Sequence, residues 1–255
     1  MKGIVLAGGS GTRLRPMTRV TNKQLLHVYD RPLVYFPILA LREAGITDIL
    51  VISGPGHAGQ LLDLLGSGKD LGLDLSFDIQ EEPKGLAHGL LVAEKFARGD
   101  KVAMILGDNI FGDNLASAVK DFKKQKKGAK IALKHVPDPE RFGVVRFDKN
   151  EKKILEVVEK PKKKPPSNWM VTGFYLYDER VFDFAKSLEL SNRGEYEITD
   201  LNNIYIKEGT MSFQRLNGVW IDAGTIDSLL RANLFIAQQV KYKKIKPIGE
   251  ILKGK

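Results

Sequence analysis

The opening of the chain constrains its fold more than any other segment. A short apolar run at residues 4–7 predicts a buried strand, and a loop of glycines and small hydroxyl residues at 8–12 follows it directly. Glycines let a backbone turn at positive φ and let its N–H groups approach an anion closely. Arg13 and Lys23 add two cations on the same extended segment. This combination predicts a phosphate-binding turn, one suited to a polyphosphate.

Two common phosphate-binding loops do not fit this segment. A P-loop needs Gly-Lys followed by Ser or Thr after four spacer residues, and that pattern is absent. A dinucleotide fingerprint needs a third glycine at the position where this chain has Leu14. The alternative is a plain glycine turn with solvated charges, but it does not explain why donors and cations concentrate just after the first strand.

The composition is that of an ordinary globular chain. Its 255 residues are 43% hydrophobic and 28% charged, which suits one large α/β domain. There is no cysteine, no apolar run of membrane-spanning length and no signal-peptide core, so we expect a cytoplasmic protein without a membrane partner. The net charge of +9 reflects lysine runs such as 123–127, 162–164 and 241–246. Because no stacking aromatics interleave these runs, we expect a solvated surface that attracts anionic substrates, and no nucleic-acid partner.

Strand and helix patterns alternate through residues 1–135, which predicts a mostly parallel sheet with helices on both faces. After about residue 142, strand patterns separated by polar turns predict an antiparallel-rich half over 136–240. We therefore expect a single α/β domain over 1–240 and a lightly ordered basic tail at 241–255. The predicted strands lie at 4–7, 48–53, 75–80, 101–106, 130–134, 143–148, 153–159, 170–177 and 211–214, and the predicted helices at 33–43, 59–65, 86–96, 115–126, 180–187, 199–208 and 225–240.

Two aspartates follow apolar runs at separate places in the chain. Asp108 comes two residues after the run 102–106, and Asp222 directly follows residues 219–221. Ligands of open α/β sheets bind outside the carboxyl ends of the strands, and Mg²⁺ prefers a few carboxylates together with phosphate oxygens. Either aspartate is also explained as a cap or turn residue, and Asp222 is well placed to cap the helix at 225–240. The residues alone leave the metal and capping interpretations open.

Short motifs follow one another in a definite order along the chain. They are Gly8-Gly9-Ser10-Gly11-Thr12-Arg13-Leu14, Lys23-Gln24-Leu25-Leu26, Leu106-Gly107-Asp108-Asn109, Glu159-Lys160-Pro161, Val171-Thr172-Gly173, Arg193-Gly194-Glu195-Tyr196 and Trp220-Ile221-Asp222. Over residues 1 to about 240, the chain resembles the sugar-1-phosphate nucleotidyltransferase family, and most closely a short form of its glucose-1-phosphate thymidylyltransferase branch, without the extra C-terminal helices of longer members. The resemblance implies a Rossmann-like nucleotidyltransferase fold with a nucleotide-binding half at 1–135 and a sugar-binding half at 136–240. It also implies a homo-oligomer, a dimer or a tetramer.

The resemblance further implies a nucleotidyl transfer with Mg²⁺ as cofactor. Glucose 1-phosphate would attack the α-phosphorus of dTTP, giving dTDP-glucose and pyrophosphate. Arg13 would hold the β- and γ-phosphates, and Lys23 would neutralise charge at the α-phosphate. Asp108 and Asp222 would hold the metal. No general base is required, because a phosphate monoester is already anionic near neutral pH.

The remaining contacts are also implied by the resemblance. Glu159 would accept hydrogen bonds from sugar hydroxyls, and Lys160 and Arg193 would pair with the sugar phosphate; from the residues alone, Glu159 and Lys160 are an exposed pair at a strand end. The implied nucleotide site comprises Leu6, Gly8, Gly9, Gly11, Thr12, Arg13, Lys23, Gln24, Gln80, Pro83, Gly85 and Asp108. The implied sugar-phosphate site comprises Leu86, Asn109, Gly143, Glu159, Lys160, Val171 and Arg193.

Several alternatives stay open at this point. An amide such as that of Gln80 satisfies a donor and an acceptor on a pyrimidine edge, but thymine and uracil differ by one methyl group worth only about 1–3 kcal/mol in a pocket. The same chemistry with UTP or another hexose 1-phosphate is one alternative, and a non-catalytic nucleotide-sugar sensor is another. His27 and His88 stand where the family usually has proline and glutamine, which affects the expected substrate preference more than the reaction type.

Overall fold

The computed structural model of this protein describes residues 1–253; Gly254 and Lys255, at the end of the predicted tail, lie outside the described residues. The predicted strands and helices all occur close to their expected positions, apart from a helix at 86–96 that is divided in two at Ala93. The strands are β1 (Lys2–Ala7), β2 (His27–Val28), β3 (Arg31–Pro32), β4 (Asp48–Ser53), β5 (Asp74–Ile79), β6 (Val102–Leu106), β7 (Asn109–Phe111), β8 (Ala129–His135), β9 (Gly143–Phe147), β10 (Ile154–Glu159), β11 (Trp169–Tyr177), β12 (Met211–Leu216) and β13 (Trp220–Asp222). The α-helices are α1 (Tyr35–Glu43), α2 (Ala58–Leu65), α3 (Leu86–Val92), α4 (Glu94–Ala97), α5 (Ala116–Lys124), α6 (Val181–Lys186), α7 (Ile198–Lys207), α8 (Ile226–Lys241) and α9 (Ile248–Leu252). Short 3-10 helices cover Thr12–Leu14, Met17–Arg19, Lys23–Leu25, Lys69–Leu71 and Pro139–Arg141.

Nine strands of the described chain form one mixed sheet. Its order is β5-β4-β1-β6-β11-β9-β10, with β8 pairing β11 and β12 pairing β8. β1 is parallel to its neighbours β4 and β6, whereas β11 is antiparallel to β6, β8 and β9. The mostly parallel first half and the antiparallel-rich second half are therefore both confirmed. Because β11 lies beside β6 and β8, the two halves share a single sheet.

Helices cover both faces of the sheet, and the side chains of β1 show how. Val5 and Ala7 pack with α1, α2 and α5 on one face, whereas Ile4 and Leu6 pack with α3, α6 and α7 on the other. This alternation follows from the two-residue period of a strand. All four side chains are buried, which explains why the sequence presents them as an unbroken apolar run.

The short strand pair β7–β13, like the pair β2–β3, lies outside the elements that the sequence predicts. β7 runs antiparallel to β13, so Asn109 lies opposite Asp222 and Ile110 opposite Ile221. Strands of three residues are too short to show an alternating pattern. This pair joins the loop that follows β6 to the loop that precedes α8, and it thereby brings two distant parts of the chain to one place.

The sequence predicts a lightly ordered segment after α8. In the structure, this lysine-rich segment packs against the rest of the chain. The guanidinium of Arg31, which is buried, donates to the backbone oxygen of Lys246 (2.8 Å). The carboxylate of Asp30 accepts the backbone N–H of Ile248 (2.7 Å). Ile248 and Ile251 also pack against the core. The anchors lie more than 200 residues away in sequence, with separations of 215 and 218, so local patterns do not reveal them.

Candidate active site

The glycine loop lies at the carboxyl end of β1. Gly11 adopts a left-handed conformation with φ of 60° and leads into the 3-10 helix Thr12–Leu14. The hydroxyl of Thr18 donates to the backbone oxygen of Gly11 (2.7 Å) and closes the loop. A Cβ atom at Gly9 would stand 2.7 Å from Cε of Lys23. The absence of a side chain at Gly9 therefore lets Lys23 lie directly against the loop backbone.

Asn22 fastens the segment that carries Lys23, a role that the sequence analysis does not predict. Its Nδ2 donates to the backbone oxygen of Ala7 (3.1 Å), and its Oδ1 accepts the backbone N–H of Gln24 (2.8 Å). This buried side chain ties the end of β1 to the 3-10 helix Lys23–Leu25. The side chain of Gln24, a predicted nucleotide contact, is itself buried, and its Oε1 has no hydrogen-bond partner within residues 1–253.

Lys23, which is partly buried, forms an ion pair with buried Asp108 just beyond β6. Nζ of Lys23 donates to one carboxylate oxygen of Asp108, and Nδ2 of Asn109 donates to the other (3.0 Å). Burial raises the pKa of Asp108, but the charge of Lys23 and these hydrogen bonds outweigh it and hold the pKa below its ordinary value of 3.8. Asp108 is therefore ionised at neutral pH.

Asp222 reaches the same place through the β7–β13 pair, and Ala223 donates its N–H to the backbone oxygen of Asp108 (2.9 Å). Oδ1 of Asp222 is buried and has no hydrogen-bond partner in the described part of the chain. Burial and the charge of Asp108 raise the pKa of Asp222 to about 6, against the opposing charges of Lys23 and Arg13. Two adjacent carboxylates, one with an unpartnered oxygen, are a donor set that suits a hard divalent cation.

Such a cation would need ligands from outside the protein. Within residues 1–253 there is no group of three or more His, Cys, Asp or Glu side chains that could hold a metal. Mg²⁺ is commonly bound by one or two carboxylates together with substrate phosphates and water. The pair of aspartates therefore fits a cation that completes its coordination with water or with the oxygens of a phosphate substrate.

Arg13 approaches the aspartates from the glycine loop. A Cβ atom at Gly224 would stand 3.0 Å from Nη2 of Arg13 and 2.9 Å from Oδ1 of Asp222, so the guanidinium lies close to this carboxylate. The structure thus brings together the four residues predicted to be catalytic, Arg13, Lys23, Asp108 and Asp222, beside the glycine loop. Thr12, another predicted nucleotide contact, is exposed on the same loop.

The predicted base-reading residues adjoin this loop at the start of α3. Nε2 of Gln80 donates to the backbone oxygen of Gly85 and lies 3.1 Å from Nδ1 of His88. Oε1 of Gln80 is 3.7 Å from the place that a Cβ atom would take on Gly8, so the two loops are neighbours. Gly85 has φ of 94°, and a Cβ atom there would lie 2.7 Å from the backbone oxygen of Tyr196. This position therefore requires glycine.

Three other residues predicted to bind nucleotide or sugar, Leu6, Pro83 and Leu86, lie near the start of α3. The side chain of Leu6 faces α3, where a Cβ atom at Gly89 would stand 3.1 Å from Cδ2 of Leu6. Pro83 is exposed in the turn before α3, and Leu86 begins the helix half-buried. A Cβ atom at Gly89 would also stand 3.1 Å from Oε1 of Gln80, so Gln80 and the buried Leu6 meet the same turn of α3.

Three of the predicted sugar-site residues, Gly143, Glu159 and Lys160, lie at the adjoining ends of β9 and β10. Glu159 pairs with Gly143, and the hydroxyl of Thr199 donates to Oε2 of Glu159 (2.6 Å). A Cβ atom at Gly143 would stand 3.3 Å from this carboxylate oxygen and from the Thr199 hydroxyl, so the glycine leaves them room. Lys160 has φ of 40°, and its half-exposed ammonium lies 3.6 Å from Oε1 of Glu159. The contact from Thr199 is one that the sequence analysis does not predict.

The guanidinium of Arg193 is less available to a sugar phosphate than the resemblance implies, because protein carboxylates already bind it. Its Nε and Nη2 donate to the two carboxylate oxygens of Glu197 (3.0 and 2.7 Å), and Nη2 also donates to Glu195 (3.1 Å). Burial raises the pKa of Glu197, but hydrogen bonds from Arg193 and Ser191 outweigh it and lower that pKa. The positive charge of Arg193 is therefore balanced by protein carboxylates, and the spacing of four residues between Arg193 and Glu197 is the sequence signal for this pair.

Asn109 and Val171 lie where the nucleotide and sugar residues meet. Val171 is buried in β11, and Asn109 is buried at the start of β7. Oδ1 of Asn109 accepts the indole N–H of Trp220 (2.8 Å) and the backbone N–H of Gly173 (3.1 Å). Any sugar contact of Asn109 must therefore use its second amide hydrogen, because its oxygen is already occupied.

Two cavities lie outside this site. One, of about 650 Å³, lies between α1, β7, α8 and the segment 244–251, and the other, of about 570 Å³, lies beside β10 and α7. Neither is lined by any of the four residues predicted to be catalytic. The candidate site is therefore defined by the convergence of its side chains and not by the volume of a cavity.

In sequence, the chain is similar to known nucleotidyl transferases. The sequence model of the family described as Nucleotidyl transferase matches residues 2–239. A glucose-1-phosphate thymidylyltransferase of Neisseria meningitidis is 47% identical over 239 residues, which cover 92% of this chain and 82% of that protein. Another, of Mycolicibacterium smegmatis, is 48% identical over 239 residues with the same coverage, 92% and 82%.

In three dimensions, the chain is similar to solved structures over almost its whole length. A Bacillus anthracis protein crystallised with sucrose superposes with a TM-score of 0.88 at 47% identity, covering 92% of this chain and 94% of that one. A UDP-glucose pyrophosphorylase complexed with UDP-glucose superposes with a TM-score of 0.83 at 23% identity, covering 93% and 98%, which shows a shared fold alone. The Rossmann-like fold predicted from the sequence is confirmed. Because the family match spans nearly all of the residues, this chain belongs to the nucleotidyl transferase family.

Proposed function

We propose that the chain transfers a thymidylyl group from dTTP to glucose 1-phosphate, giving dTDP-glucose and pyrophosphate. The observation that carries this proposal is the convergence of Arg13, Lys23, Asp108 and Asp222 beside the glycine loop. Two cations and two carboxylates next to a phosphate-binding turn suit a reaction between two phosphate groups. The substrates are those named by the curated relatives at 47% and 48% identity.

The triphosphate would bind at the glycine loop. Backbone N–H groups near Gly11 and the guanidinium of Arg13 are the donors available to its β- and γ-phosphates. Lys23, which lies against Gly9, is the cation closest to the loop backbone and would neutralise charge at the α-phosphate. Preorganised donors of this kind typically contribute about 10²–10³ in rate each.

In the reaction, an oxygen of the sugar phosphate forms a bond to the α-phosphorus as the bond from that phosphorus to the bridging oxygen breaks. Pyrophosphate leaves with the electron pair, and no proton has to move. The protein therefore contributes positioning and charge neutralisation in place of a general base. This accounts for an active site built from lysine, arginine and aspartate.

We assign Asp108 and Asp222 as the residues that would hold a divalent cation, and we propose Mg²⁺. The buried Oδ1 of Asp222, which has no hydrogen-bond partner within the described residues, and the ionised carboxylate of Asp108 support this assignment. When bound, such an ion would reduce the repulsion between the two phosphate substrates. Lys23 and Asn109 hold Asp108 in a defined orientation, and the β7–β13 pair holds Asp222 next to it.

Lys160 is our first choice for the sugar phosphate. Its half-exposed ammonium lies 3.6 Å from Glu159, whereas the guanidinium of Arg193 is engaged by Glu197 and Glu195. Glu159, oriented by Thr199, would accept hydrogen bonds from the sugar hydroxyls. Arg193 then acts chiefly by keeping the acidic residues of this region in place.

Gln80 would read the base. Because its Nε2 donates to Gly85, its Oε1 is the atom left to accept a hydrogen bond, and N3–H of thymine or uracil is a matching donor. His88, which contacts Gln80, stands at the position where the family usually has glutamine. UTP in place of dTTP is therefore the alternative that keeps the same chemistry.

A pyrophosphate-release assay tests the proposal directly. Each of dTTP, UTP, CTP, ATP and GTP would be paired with several hexose 1-phosphates in the presence of Mg²⁺. We expect the highest kcat/KM for dTTP with glucose 1-phosphate, and no turnover when the cation is removed with EDTA. If folded protein turned over none of these substrate pairs, the enzyme proposal would be wrong and a nucleotide-sugar sensor would be the better interpretation.

We further propose that the protein works as a cytoplasmic homo-oligomer. Among residues 1–253, none of the helices combines the length and apolarity needed to cross a bilayer. The expectation of a dimer or tetramer comes from the resemblance to the family. Light scattering coupled to size exclusion measures it directly, and a monomer of 28.4 kDa would contradict it.

A further inference from the structure

Trp220 and Asn109 form a hydrogen-bonded chain that ends on Asp108. The indole N–H of Trp220 donates to Oδ1 of Asn109 (2.8 Å), and Nδ2 of Asn109 donates to Oδ1 of Asp108 (3.0 Å). Asn109 is 2% exposed and Asp108 is 8% exposed, so water competes little for these bonds. The three residues come from β7, β13 and the loop after β6.

The orientation of the Asn109 amide is unambiguous. Its oxygen receives two N–H donors, from Trp220 and from the backbone of Gly173 (3.1 Å). Rotating the amide by half a turn would place its NH₂ group against both donors and its oxygen against the carboxylate of Asp108. The Trp220 indole, together with the N–H of Gly173, therefore determines which atom of Asn109 faces Asp108.

Gly173 contributes because β11 is irregular at this point. The pairing of β11 with β8 is interrupted between Val171 and Tyr175, so the N–H of Gly173 is directed to a side chain. A Cβ atom at Gly173 would stand 2.5 Å from Oδ1 of Asn109. The missing side chain is thus what allows the amide of Asn109 to occupy this place.

This hydrogen-bonded chain ends on Oδ1 of Asp108, one of the two aspartates of the proposed metal site. Lys23 occupies one oxygen of Asp108 and Asn109 the other, so the plane of the carboxylate is fixed from both sides. Asp222, opposite Asn109 in the β7–β13 pair, has an oxygen with no hydrogen-bond partner among residues 1–253. Without Asn109, Lys23 alone would restrain the carboxylate of Asp108, and the orientation of its Oδ1 relative to Asp222 would be less well defined.

We propose that Trp220 is a positioning residue that acts through Asn109 to orient Asp108 for the divalent cation. This inference rests on the proposed function, which assigns that cation to Asp108 and Asp222. Removing a partner that orients a metal ligand typically lowers metal affinity or activity about 10–100-fold. Trp220 therefore contributes to cation affinity although it is not itself a ligand.

The test uses Mn²⁺ alone, titrated into the full chain and followed by the electron paramagnetic resonance signal of the free ion. Trp220→Phe keeps the aromatic ring, which packs edge-on against Phe142 at 5.5 Å between centroids, and removes the indole N–H. Trp169→Phe is the matched control, because Trp169 is the other of the two tryptophans and contacts Arg215 and His135. We expect Mn²⁺ to bind about 10–100-fold more weakly to W220F and normally to W169F.

Asp108→Asn distinguishes a failure of the role proposed for Trp220 from a failure of the metal assignment. Loss of Mn²⁺ binding in D108N together with wild-type affinity in W220F would overturn the role of Trp220 and leave the proposed function intact. Wild-type Mn²⁺ affinity in D108N would refute the metal assignment in the proposed function, and the inference with it.

A second measurement follows the chain itself. The two indole N–H resonances in a ¹⁵N-labelled protein are assigned from W220F and W169F, and Mg²⁺ is then added. We expect the Trp220 resonance to shift with Mg²⁺ while the Trp169 resonance stays in place, and we expect Asn109→Ala to remove the shift. A Trp220 resonance that ignores Mg²⁺ in the wild type would overturn the inference even if W220F binds the ion weakly.

Discussion

At the scale of single residues, the site is organised by a local imbalance of charge. Asp108 is compensated by Lys23 and Asn109, which hold its pKa below 3.8, whereas Asp222 is left with a raised pKa of about 6. The two carboxylates are held together by the β7–β13 pair although they repel each other. Keeping such a pair adjacent costs stability, and a divalent cation bound as we propose would offset the repulsion.

Replacement of Lys23 tests the role of the cation at the glycine loop. We expect Lys23→Met, which keeps most of the side-chain volume, to lower kcat by about 10²–10³, the usual loss for one preorganised donor. Initial rates at saturating dTTP and Mg²⁺ measure it. Lys162→Met, in the lysine run of an exposed turn, is the matched control and should retain wild-type kcat. Equal kcat values for the two variants would show that Lys23 does not act on the reaction.

Asp222→Asn separates stability from function. Burial and the charge of Asp108 raise the pKa of Asp222 from 3.8 to about 6. Because one pKa unit corresponds to about 1.4 kcal/mol, ionised Asp222 lowers the free energy of unfolding of the metal-free protein by on the order of 3 kcal/mol above pH 7. The effect is absent below the unfolded pKa and develops as the pH rises through about 6.

We therefore expect D222N, in EDTA at pH 8, to need more urea for unfolding than the wild type, and the difference to vanish near pH 4. The same variant should have a sharply reduced kcat. A D222N protein less stable than the wild type at pH 8 would show that Asp222 is not electrostatically frustrated in the free enzyme.

At the scale of elements, two short features hold distant segments in place. The β7–β13 pair aligns the two aspartates, and the β2–β3 hairpin anchors the segment that leads to α9 through Asp30 and Arg31. Both features are only two or three residues long per strand. Their stability therefore comes from burial and side-chain bonds, because isolated pairs of this length do not persist in water.

Asp30→Ala tests the anchor of α9. The substitution leaves the buried guanidinium of Arg31 without its carboxylate, which typically costs about 3–5 kcal/mol. We expect a lower free energy of unfolding and faster hydrogen exchange at the amide of Ile248, which Asp30 binds. The double variant Asp30→Ala/Arg31→Met removes the stranded charge and should recover part of the stability. If it is no more stable than the single variant, the guanidinium charge is not the cause.

The same contact predicts a dependence on pH. Burial raises the pKa of Asp30, but hydrogen bonds from Arg31 and from the N–H of Ile248 outweigh it, so the pKa is lowered below 3.8. A lowered carboxyl pKa adds stability above the unfolded pKa, and that stability is lost as the pH falls through the folded value. We expect exchange at Ile248 to lose protection below about pH 4 in the wild type and to lack this dependence in Asp30→Ala.

At the scale of the whole molecule, the residues predicted to bind nucleotide and sugar lie on or beside one continuous sheet. β11 of the second half pairs with β6 and β8 of the first, and one core cluster contains residues from α3 and from α7. The functional division at residue 135, which stays a proposal, therefore does not imply two units that fold separately. Shared strands couple any displacement of one half to the other.

Unfolding in urea tests this cooperativity. Both tryptophans, Trp169 and Trp220, lie in the second half, whereas circular dichroism reports on the entire chain. We expect the two signals to give one coincident transition, and we expect a fragment of residues 1–135 to remain unfolded because its strands β6 and β8 lose their partner β11. Separate midpoints for the two signals would show that the halves fold independently.

The sequence by itself determined the elements whose signals are local and long. The buried strand before the glycine loop, the strand of residues 102–106 and the helix near 225–240 were predictable, because burial of a whole strand or of one helix face leaves a periodic trace. The phosphate-binding turn was also predictable, because a glycine loop followed by two cations favours phosphate binding over a plain turn. The family resemblance added the proposed roles of Asp108 and Asp222 as metal ligands, which their positions after strands left open.

Only the tertiary structure decided how these residues meet. The register of β7 with β13, the separations of 64 and 111 residues between Asn109 and its partners Gly173 and Trp220, and the anchoring of the segment before α9 are long-range contacts. Three-residue strands and buried amide orientations leave no periodic trace in the sequence. Their geometry is fixed when the sheet and its helices pack together and exclude water, because each buried donor must then find an acceptor.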